Sequence, residues 1–491
     1  MFPRVLKVTP SIVPLYLEKA MFKLEVTRKI LCEDVPWQDV ISDLNRTGQP
    51  WTKTLSMLNH TQRFQLLLEF ERREAEKKIS FIQQSLRISK GNKDNELLVE
   101  VAEHPQKSEK LLHGKLRVVF HSKPLQEYLA TIKEVKKEGL VISLDETSEF
   151  FEDDVADVEL LPNYFYLKTV FKAWRLLENF GSTYLFLFFP ATISTGFKKY
   201  TVRQWQNTQL NEEQKTAVEK FLGMRKVHHS PFLLFGPPGT GKTTTLIEII
   251  VQVWYKSQRR QLICGPSNAA CDFLMQRLIA ALPDAKIYRL FSKSATAAQP
   301  PPEVVENSNY YQTKDLFEDY LTPDVLDCDI VICTVLTSMK LASITRLQFG
   351  YLYIDESGQL SEPDLVIAVS VLLSGNSRID SSRILLAGDP LQLGPVIHSQ
   401  VATDFGLGVS LLERLMQSKS ISEECFAHLV KSYRSHPAIL HVPNLLFYNN
   451  MLEVIGNNTQ GVGWESLPNK SFPVLFHGVE GDCNQDADTY R

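Results

Sequence analysis

Short apolar runs recur through the second half of the chain: FLLF (232–235), QLICG (261–265), DIVICT (329–334), YLYID (351–355) and RILLAGD (383–389), with helical stretches between them. Strands that are apolar nearly throughout, rather than at every second position, predict a parallel sheet covered by helices on both faces. The first half reads differently. HTQRFQLLLEFERREAEKKISFIQQSLR (60–87) predicts one long helix, with Leu67, Phe70 and Phe81 turned to a core and ERREAEKK to water. KLRVVFH, YLATIKEV and GLVISLDE, within 115–161, are short runs rich in β-branched residues and broken by Pro, Gly and charge, which predicts a small β-barrel. Residues 292–323, with QPPP at 299–302, predict an insertion or linker.

Composition narrows this picture. The 491 residues are enough for about three domains, and 44% hydrophobic with 22% charged residues is ordinary globular content. A net charge of −4 does not mark a polyanion binder, so any such site must be a local patch. One candidate patch is 107–137, where Lys107, Lys110, Lys115, Arg117, Lys123, Lys133, Lys136 and Lys137 outnumber Glu109, Glu127 and Glu134. A solvated surface accounts for the same charges. The cysteines Cys32, Cys264, Cys271, Cys328, Cys333, Cys425 and Cys483 are odd in number and form no C-x-x-C pair, which argues against a disulfide framework or structural zinc. MFPRVLKVTP lacks the apolar core of a signal peptide, and YLFLFFP (184–190) is too short to span a bilayer. The expectation is a soluble cytosolic or nuclear protein with no membrane association.

FLLFGPPGTGKTTTLIEII carries the most specific chemistry. Gly236, Gly241, Lys242 and Thr243 match G-x-x-x-x-G-K-[ST], with an apolar strand before and a helix after. Backbone N–H groups of Gly236, Pro237–Pro238–Gly239, Thr240, Gly241 and Thr244, proline excepted, suit phosphate oxygens, and the helix end is electropositive. Lys242 reaches the outer phosphates and Thr243 offers a hydroxyl to Mg²⁺. This predicts binding of a nucleoside triphosphate with Mg²⁺. It also gives the adjacent acids in YLYIDESGQL a purpose: Asp355 holds the metal, and Glu356 orients and deprotonates a water.

A GPPGTGKT loop also occurs in ring-forming AAA+ machines, where the corresponding later strand typically ends in a polar sensor. Here LLAGDPLQLGPV (385–396) places Gln392 after Gly388-Asp389-Pro390 instead, KSYRSHPAIL contains Tyr433 and Arg434, and LNEEQKTAVEKFL (210–222) contains Gln214. With GPPGTGKT, CGPSNAACD (264–272), VICTVLTS (331–338), IDESGQ and GLGVSLLERL (406–415), these motifs resemble superfamily 1 helicases of the up-frameshift-like 5′→3′ class, and within it the Armitage / Moloney leukemia virus 10 homologue group of RNA-silencing helicases. The resemblance covers about 205–480.

The resemblance implies an α/β fold: a P-loop RecA-like parallel sheet with an N-terminal helical stalk, a small β-barrel and the start of a second RecA-like lobe. The expected divisions are an N-terminal region with the stalk (1–104), the barrel as a possible RNA contact (105–165), a return stalk or linker (166–204), the first RecA-like domain (205–428), and the second, incomplete, from 429 to 491. By the same resemblance, ATP and Mg²⁺ are the cofactors. Lys242, Glu356, Gln392 and Arg434 are the catalytic group, Gln214 reads the adenine edge, Tyr433 stacks on the base, Gln392 couples the γ-phosphate to the nucleic acid, and Arg434 contacts the γ-phosphate. Pro266, Ser267, Asn268, Thr334 and Thr337 would meet single-stranded RNA, although ordinary caps and turns use the same residue types. The implied partners are RNA and silencing proteins of the Argonaute/Piwi class, for a cytoplasmic monomer found in ribonucleoprotein granules.

Two departures stand out. Ser357 occupies a position where Ala is common in such helicases, and neither an EFQGQE-like nor a VTRA-like motif is present. The expectation is therefore a chain with the ATP site of a helicase but not its full second lobe, and with exposed apolar surface around 439–447 and 473–478. An ATP- and RNA-binding module with little unwinding, and a DNA helicase of the same class, remain as alternatives.

Overall fold

The computed structural model describes residues 55–57, 59–79, 82–90, 96–100, 115–122, 127–136, 139–144, 154–161, 165–190, 198–224, 230–257, 259–293, 295, 300–311, 316–317, 323–344, 346–374, 382–418, 421–455, 464–465, 467–469, 472–478, 485–486 and 489–490. By internal contacts the chain divides into 1–70 with 169–475, and 71–168 with 476–491.

The smaller unit contains a closed antiparallel barrel. Its strands are β1 (Ile82–Lys90), β2 (Glu96–Glu100), β3 (Lys115–Phe120), β4 (Glu127–Lys136), β5 (Gly139–Leu144) and β6 (Asp154–Leu161), in the order β1-β2-β5-β4-β3-β6. Alternation makes the barrel: Leu116, Val118 and Phe120 are buried inside it with Ile88, Val99, Ile132, Ile142 and Val158. The helix predicted through residue 87 ends instead at Ile79, giving α1 (His60–Ile79). Its last predicted residues form β1, because Leu86 and Ile88 follow the period of two and complete the barrel core. Ser85, at φ 58°, marks a bulge where the β1–β6 register shifts. Leu67 is buried as expected, whereas Phe81 lies outside the described residues. So do Lys107, Lys110, Lys123 and Lys137 of the basic stretch, and within it Arg117 pairs with Glu159.

The larger unit is built on a seven-stranded sheet. Following α2 (Phe165–Glu178) and α3 (Glu212–Gly223), the chain forms β7 (Phe232–Phe235), α4 (Lys242–Lys256), β8 (Arg260–Gly265), α5 (Asn268–Ala281), β9 (Ile287–Leu290), β10 (Ile330–Thr334), α6 (Val335–Ser338), β11 (Phe349–Ile354), α7 (Glu362–Ser374), β12 (Arg383–Gly388), α8 (Leu411–Gln417) and β13 (Phe426–His428). The sheet order is β13-β7-β12-β11-β8-β10-β9, and every pairing is parallel. This is the α/β parallel sheet expected from the continuous apolar runs, and the alternation with helices supplies the cover on both faces. Its core includes Phe232, Leu234, Ile249, Ile263, Ile332, Tyr353 and Leu385, all fully buried.

Residues 292–323 contribute a short helix at Pro302–Glu306 and a two-residue strand pair, Tyr310–Tyr311 with Leu316–Phe317. After the sheet, β14 (Lys431–Ser432), α9 (Pro437–Phe447) and β15 (Glu453–Val454) follow, and Ile439, Val442, Leu445, Leu446 and Phe447 are exposed. Among the described residues, no helix is long and apolar enough to cross a membrane.

Candidate nucleotide-binding site

Topology brings the motif residues to one edge. β12 lies between β7 and β11, so the phosphate loop, Asp389 and the Asp355-Glu356 pair all leave the sheet from the carboxyl ends of neighbouring strands. Open α/β sheets bind ligands at that edge. An open cleft of about 460 Å³ lies there, lined by the loop from Pro237 to Thr244 and by Gln214, Glu356, Gln392, Tyr433 and Arg434.

The loop is shaped by its glycines and by the segment docked on it. Gly239 (φ 75°) and Gly241 (φ 83°) take left-handed conformations that disfavour side chains. Space opposes one at Gly239 as well, where a Cβ would come within 2.7 Å of the Arg434 Cβ; at Gly241 it would displace the end of the Gln214 side chain, whose amide nitrogen lies 2.4 Å away. The Tyr433 N–H donates to the Gly239 carbonyl at 2.9 Å, and the Ser432 hydroxyl to the Pro238 carbonyl at 3.0 Å. Arg434 is thereby held beside the loop. Lys242, nearly buried, donates to the Gly236 carbonyl at 2.6 Å across the loop it closes.

Gln214 stands in the cleft wall and braces it. Its amide donates to the Thr240 carbonyl at 3.1 Å, and its oxygen accepts the Asn211 N–H at 3.0 Å in a capping box at the start of α3. Asn211 in turn donates to the Tyr433 hydroxyl at 2.8 Å, orienting that exposed ring.

The two acids differ in exposure. Asp355 is buried at the end of β11, and Glu356 reaches the cleft from a left-handed backbone at φ 48°. Burial first, then the charge of Glu356, pushes the Asp355 carboxyl up to about 6, against the opposing pull of the Glu356 N–H, Lys242 and the Thr243 hydroxyl. A raised carboxyl in contact with a second acid and the loop threonine is a donor set short of positive charge, and a divalent cation fits that deficit. Ser357 is fully buried, and its hydroxyl donates to the Ala387 carbonyl at 2.9 Å, so the serine is accommodated by a hydrogen bond within the sheet.

The residues expected to meet RNA lie on the next strands. Gly265 and Thr334 are register partners on β8 and β10, which brings Pro266, Ser267 and Asn268 next to Thr334 and Thr337. Their side chains have local roles. Ser267 caps α5, Thr334 caps α6 and shares a 2.7 Å hydrogen bond with the Thr337 hydroxyl, and Asn268 accepts from the buried Arg289 at 2.9 Å.

Five further residues line the cleft that sequence reasoning missed: Asn207, Gln209, Leu210, Phe273 and Arg277. The Arg277 guanidinium lies 4.9 Å from the centre of the Phe273 ring. The signal available for this pair was its i, i+4 spacing on α5, the helix that begins within GPSNAA. Nothing local marked the other three.

The chain is similar to known proteins. Two family models, each described as an AAA domain, match the chain, one over residues 209–320 and 305–400 and the other over 407–490. The Danio rerio protein mov-10-B.1 is 39% identical over 299 residues, which is 57% of this chain and 29% of that one. The Mus musculus RNA helicase Mov10l1 is 36% identical over 308 residues, covering 57% of this chain and 24% of its own. The chain thus spans less than a third of the length of these relatives. Among solved structures, the complex of Arterivirus nonstructural protein 10 (helicase) with DNA aligns at 13% identity and a TM-score of 0.35, over 89% of this chain and 70% of that one.

Proposed function

We propose, from the premise that this chain belongs to the superfamily 1 up-frameshift-like helicases, that it forms the ATP-hydrolysing part of an RNA helicase. The observation that carries the reading is the cleft that Lys242, Thr243, Glu356, Gln392 and Arg434 line together, with the buried Asp355 carboxyl behind it hydrogen-bonded to the Thr243 side chain. Lys242 and the loop N–H groups bind the outer phosphates, and Arg434 adds a guanidinium to the γ-phosphate. Thr243 and Asp355 would hold Mg²⁺, which when bound neutralises the phosphates and the acid pair. Glu356 orients the attacking water and accepts its proton. Tyr433 stacks on the base, and Gln214 presents the remaining capacity of its amide to the adenine edge. Pro266, Ser267, Asn268, Thr334 and Thr337 line the path of single-stranded RNA, with sequence-tolerant, salt-sensitive binding. The likeness to the MOV-10 group supports 5′→3′ movement, a role in small-RNA silencing beside Argonaute/Piwi-class proteins, and work in the cytoplasm and its ribonucleoprotein granules.

A second reading, an ATP- and RNA-binding module with slow turnover, is favoured by the exposed apolar residues of α9, which suit a lobe that needs further cover. RNA-stimulated ATPase assays separate the two. Glu356→Gln should lower turnover by roughly 10²-fold or more while ATP still binds. Wild-type binding without RNA-stimulated turnover supports the module, and failure of ATP to associate with the wild type sinks both readings. Single-stranded DNA at matched salt, if it stimulates as well as RNA, overturns the assignment to RNA.

A further inference from the structure

We propose that Tyr448 is a positioning residue for the nucleotide site, acting through Asp389 on Gln392. The inference rests on the reading that this cleft holds ATP.

Tyr448 follows α9, and its place is fixed by a rigid turn. Asn449 and Asn450 are left-handed, at φ 51° and 57°, and reverse the chain. Asn444 clamps the far side, accepting the Leu452 N–H at 3.0 Å and donating to the Leu452 carbonyl at 3.1 Å. The Tyr448 ring is thereby packed with Leu452 against Phe235, the last residue of β7 before the phosphate loop.

Its hydroxyl donates to Asp389 Oδ2 at 2.8 Å. The same oxygen accepts the Gln392 side-chain amide at 2.8 Å, while Oδ1 accepts the Leu391 N–H at 3.0 Å. Tyr448 and Asp389 are both buried, at 3% and 2% exposure, so water does not replace a lost partner freely. Burial and the neighbouring carboxylate push the phenol well above its ordinary value, which keeps it a donor. One carboxylate therefore joins the turn after α9 to the amide assigned to the γ-phosphate. A shift of that turn must be felt at Gln392, which makes Tyr448 a link between the segment that begins the second lobe and the ATP cleft.

The test uses the full 491-residue chain and titrates fluorescent ADP and fluorescent ATPγS into wild type and Tyr448→Phe. The phenylalanine keeps the packing and removes one hydrogen bond. ATPγS binding should weaken by roughly fivefold, the effect of one net hydrogen bond, and ADP binding should stay within about twofold. A general packing defect would weaken both nucleotides together, and that result, or no change in either, overturns the proposal. Should the phenylalanine variant fail to fold, Asp389→Asn must give the same selective loss, and equal loss of both nucleotides there overturns it too. If wild type binds neither nucleotide, the ATP reading fails and this proposal falls with it, an outcome distinct from an unselective variant.

Discussion

Asp355 and Glu362 are buried carboxylic acids separated by a single short turn, yet their chemistry moves in opposite directions. Burial raises both. At Asp355 the nearby charge of Glu356 adds to it, and the carboxyl stands at about 6. At Glu362 the opposing attraction of Arg414 and His60 overcomes it and brings the group down to about 2. Arg414 donates twice to Glu362, at 2.9 and 2.6 Å, and His60 Nε2 once at 2.8 Å. Arg414 also donates to the Phe188 carbonyl at 2.9 Å, and His60 sits among Phe64, Phe188 and Phe189. The contrast separates two uses of a buried charge. A carboxylate whose partners are side chains of the same fold, here the Arg414 guanidinium and the His60 ring, is an anchor tying α1 and α8 to the start of α7. A carboxylate left short of positive charge is prepared for a cation that comes with a ligand.

The largest effect should come from breaking the anchor. Arg414→Leu leaves Glu362 charged and under-paired in the core, and should cost about 3–5 kcal/mol in urea unfolding at neutral pH. A loss under about 1 kcal/mol would mean that the pair is already well solvated, and the contrast with Asp355 would disappear.

Asp355→Asn should act in the opposite sense on the nucleotide-free protein. Because its folded value of about 6 exceeds the ordinary 3.8, the native state holds the extra proton between those values. Its contribution to stability is therefore complete below 3.8 and is lost as pH rises toward 6. Removing the charge should stabilise the protein at pH 7.5 by up to roughly 3 kcal/mol, and by almost nothing near pH 4. The same variant should lose the thermal shift that Mg²⁺ with nucleotide confers on wild type. Unfolding curves of both proteins at the two pH values decide the matter, and a destabilised Asn variant at pH 7.5 would refute the account.

Acid should single out Glu362. Its folded value lies below the ordinary 4.5, so its stabilisation is present above 4.5 and is lost as pH falls toward 2. The fall in wild-type stability over that window should be shallower in Glu362→Gln, measured by denaturant titration from pH 5 to pH 2.5.

The segment between the two acids should matter least. Ser357→Ala removes the hydroxyl bonded to Ala387 and should cost about 1 kcal/mol, with ATP turnover unchanged. A large loss of turnover would give Ser357 a role in the cleft that its burial does not suggest.

Much of the cleft could be read in advance because its parts are local. Strand, glycine loop and helix are contiguous at 232–256, whereas the bond of Lys242 to the Gly236 carbonyl is not among the expectations, which place Lys242 on the outer phosphates. Gln392, Tyr433 and Arg434 were found through resemblance and not through any periodicity of their own. Asn207, Gln209 and Leu210 escaped notice because a wall assembled from distant segments leaves no pattern in any one of them. The pattern extends the helix past Ile79 for a related reason: EKKI, QQ and SLR are tolerable helical residues, and only closure of the barrel requires 82–90 to be a strand.

By itself the chain determined what depends on neighbours in sequence: the parallel sheet, from apolar runs without alternation, and the phosphate loop, from glycines at positions where the backbone conformation disfavours a Cβ. Tertiary structure decided what depends on charges brought from afar. The sequence shows two acids beside apolar residues and cannot distinguish them, because Arg414 and His60 reach Glu362 only through the fold, while Asp355 has Glu356 beside it as well as Lys242 and Thr243. Hydrophobic periodicity acts over a few residues of backbone, whereas the ionisation of a buried group is set by whichever opposite charge packing places within a few ångströms.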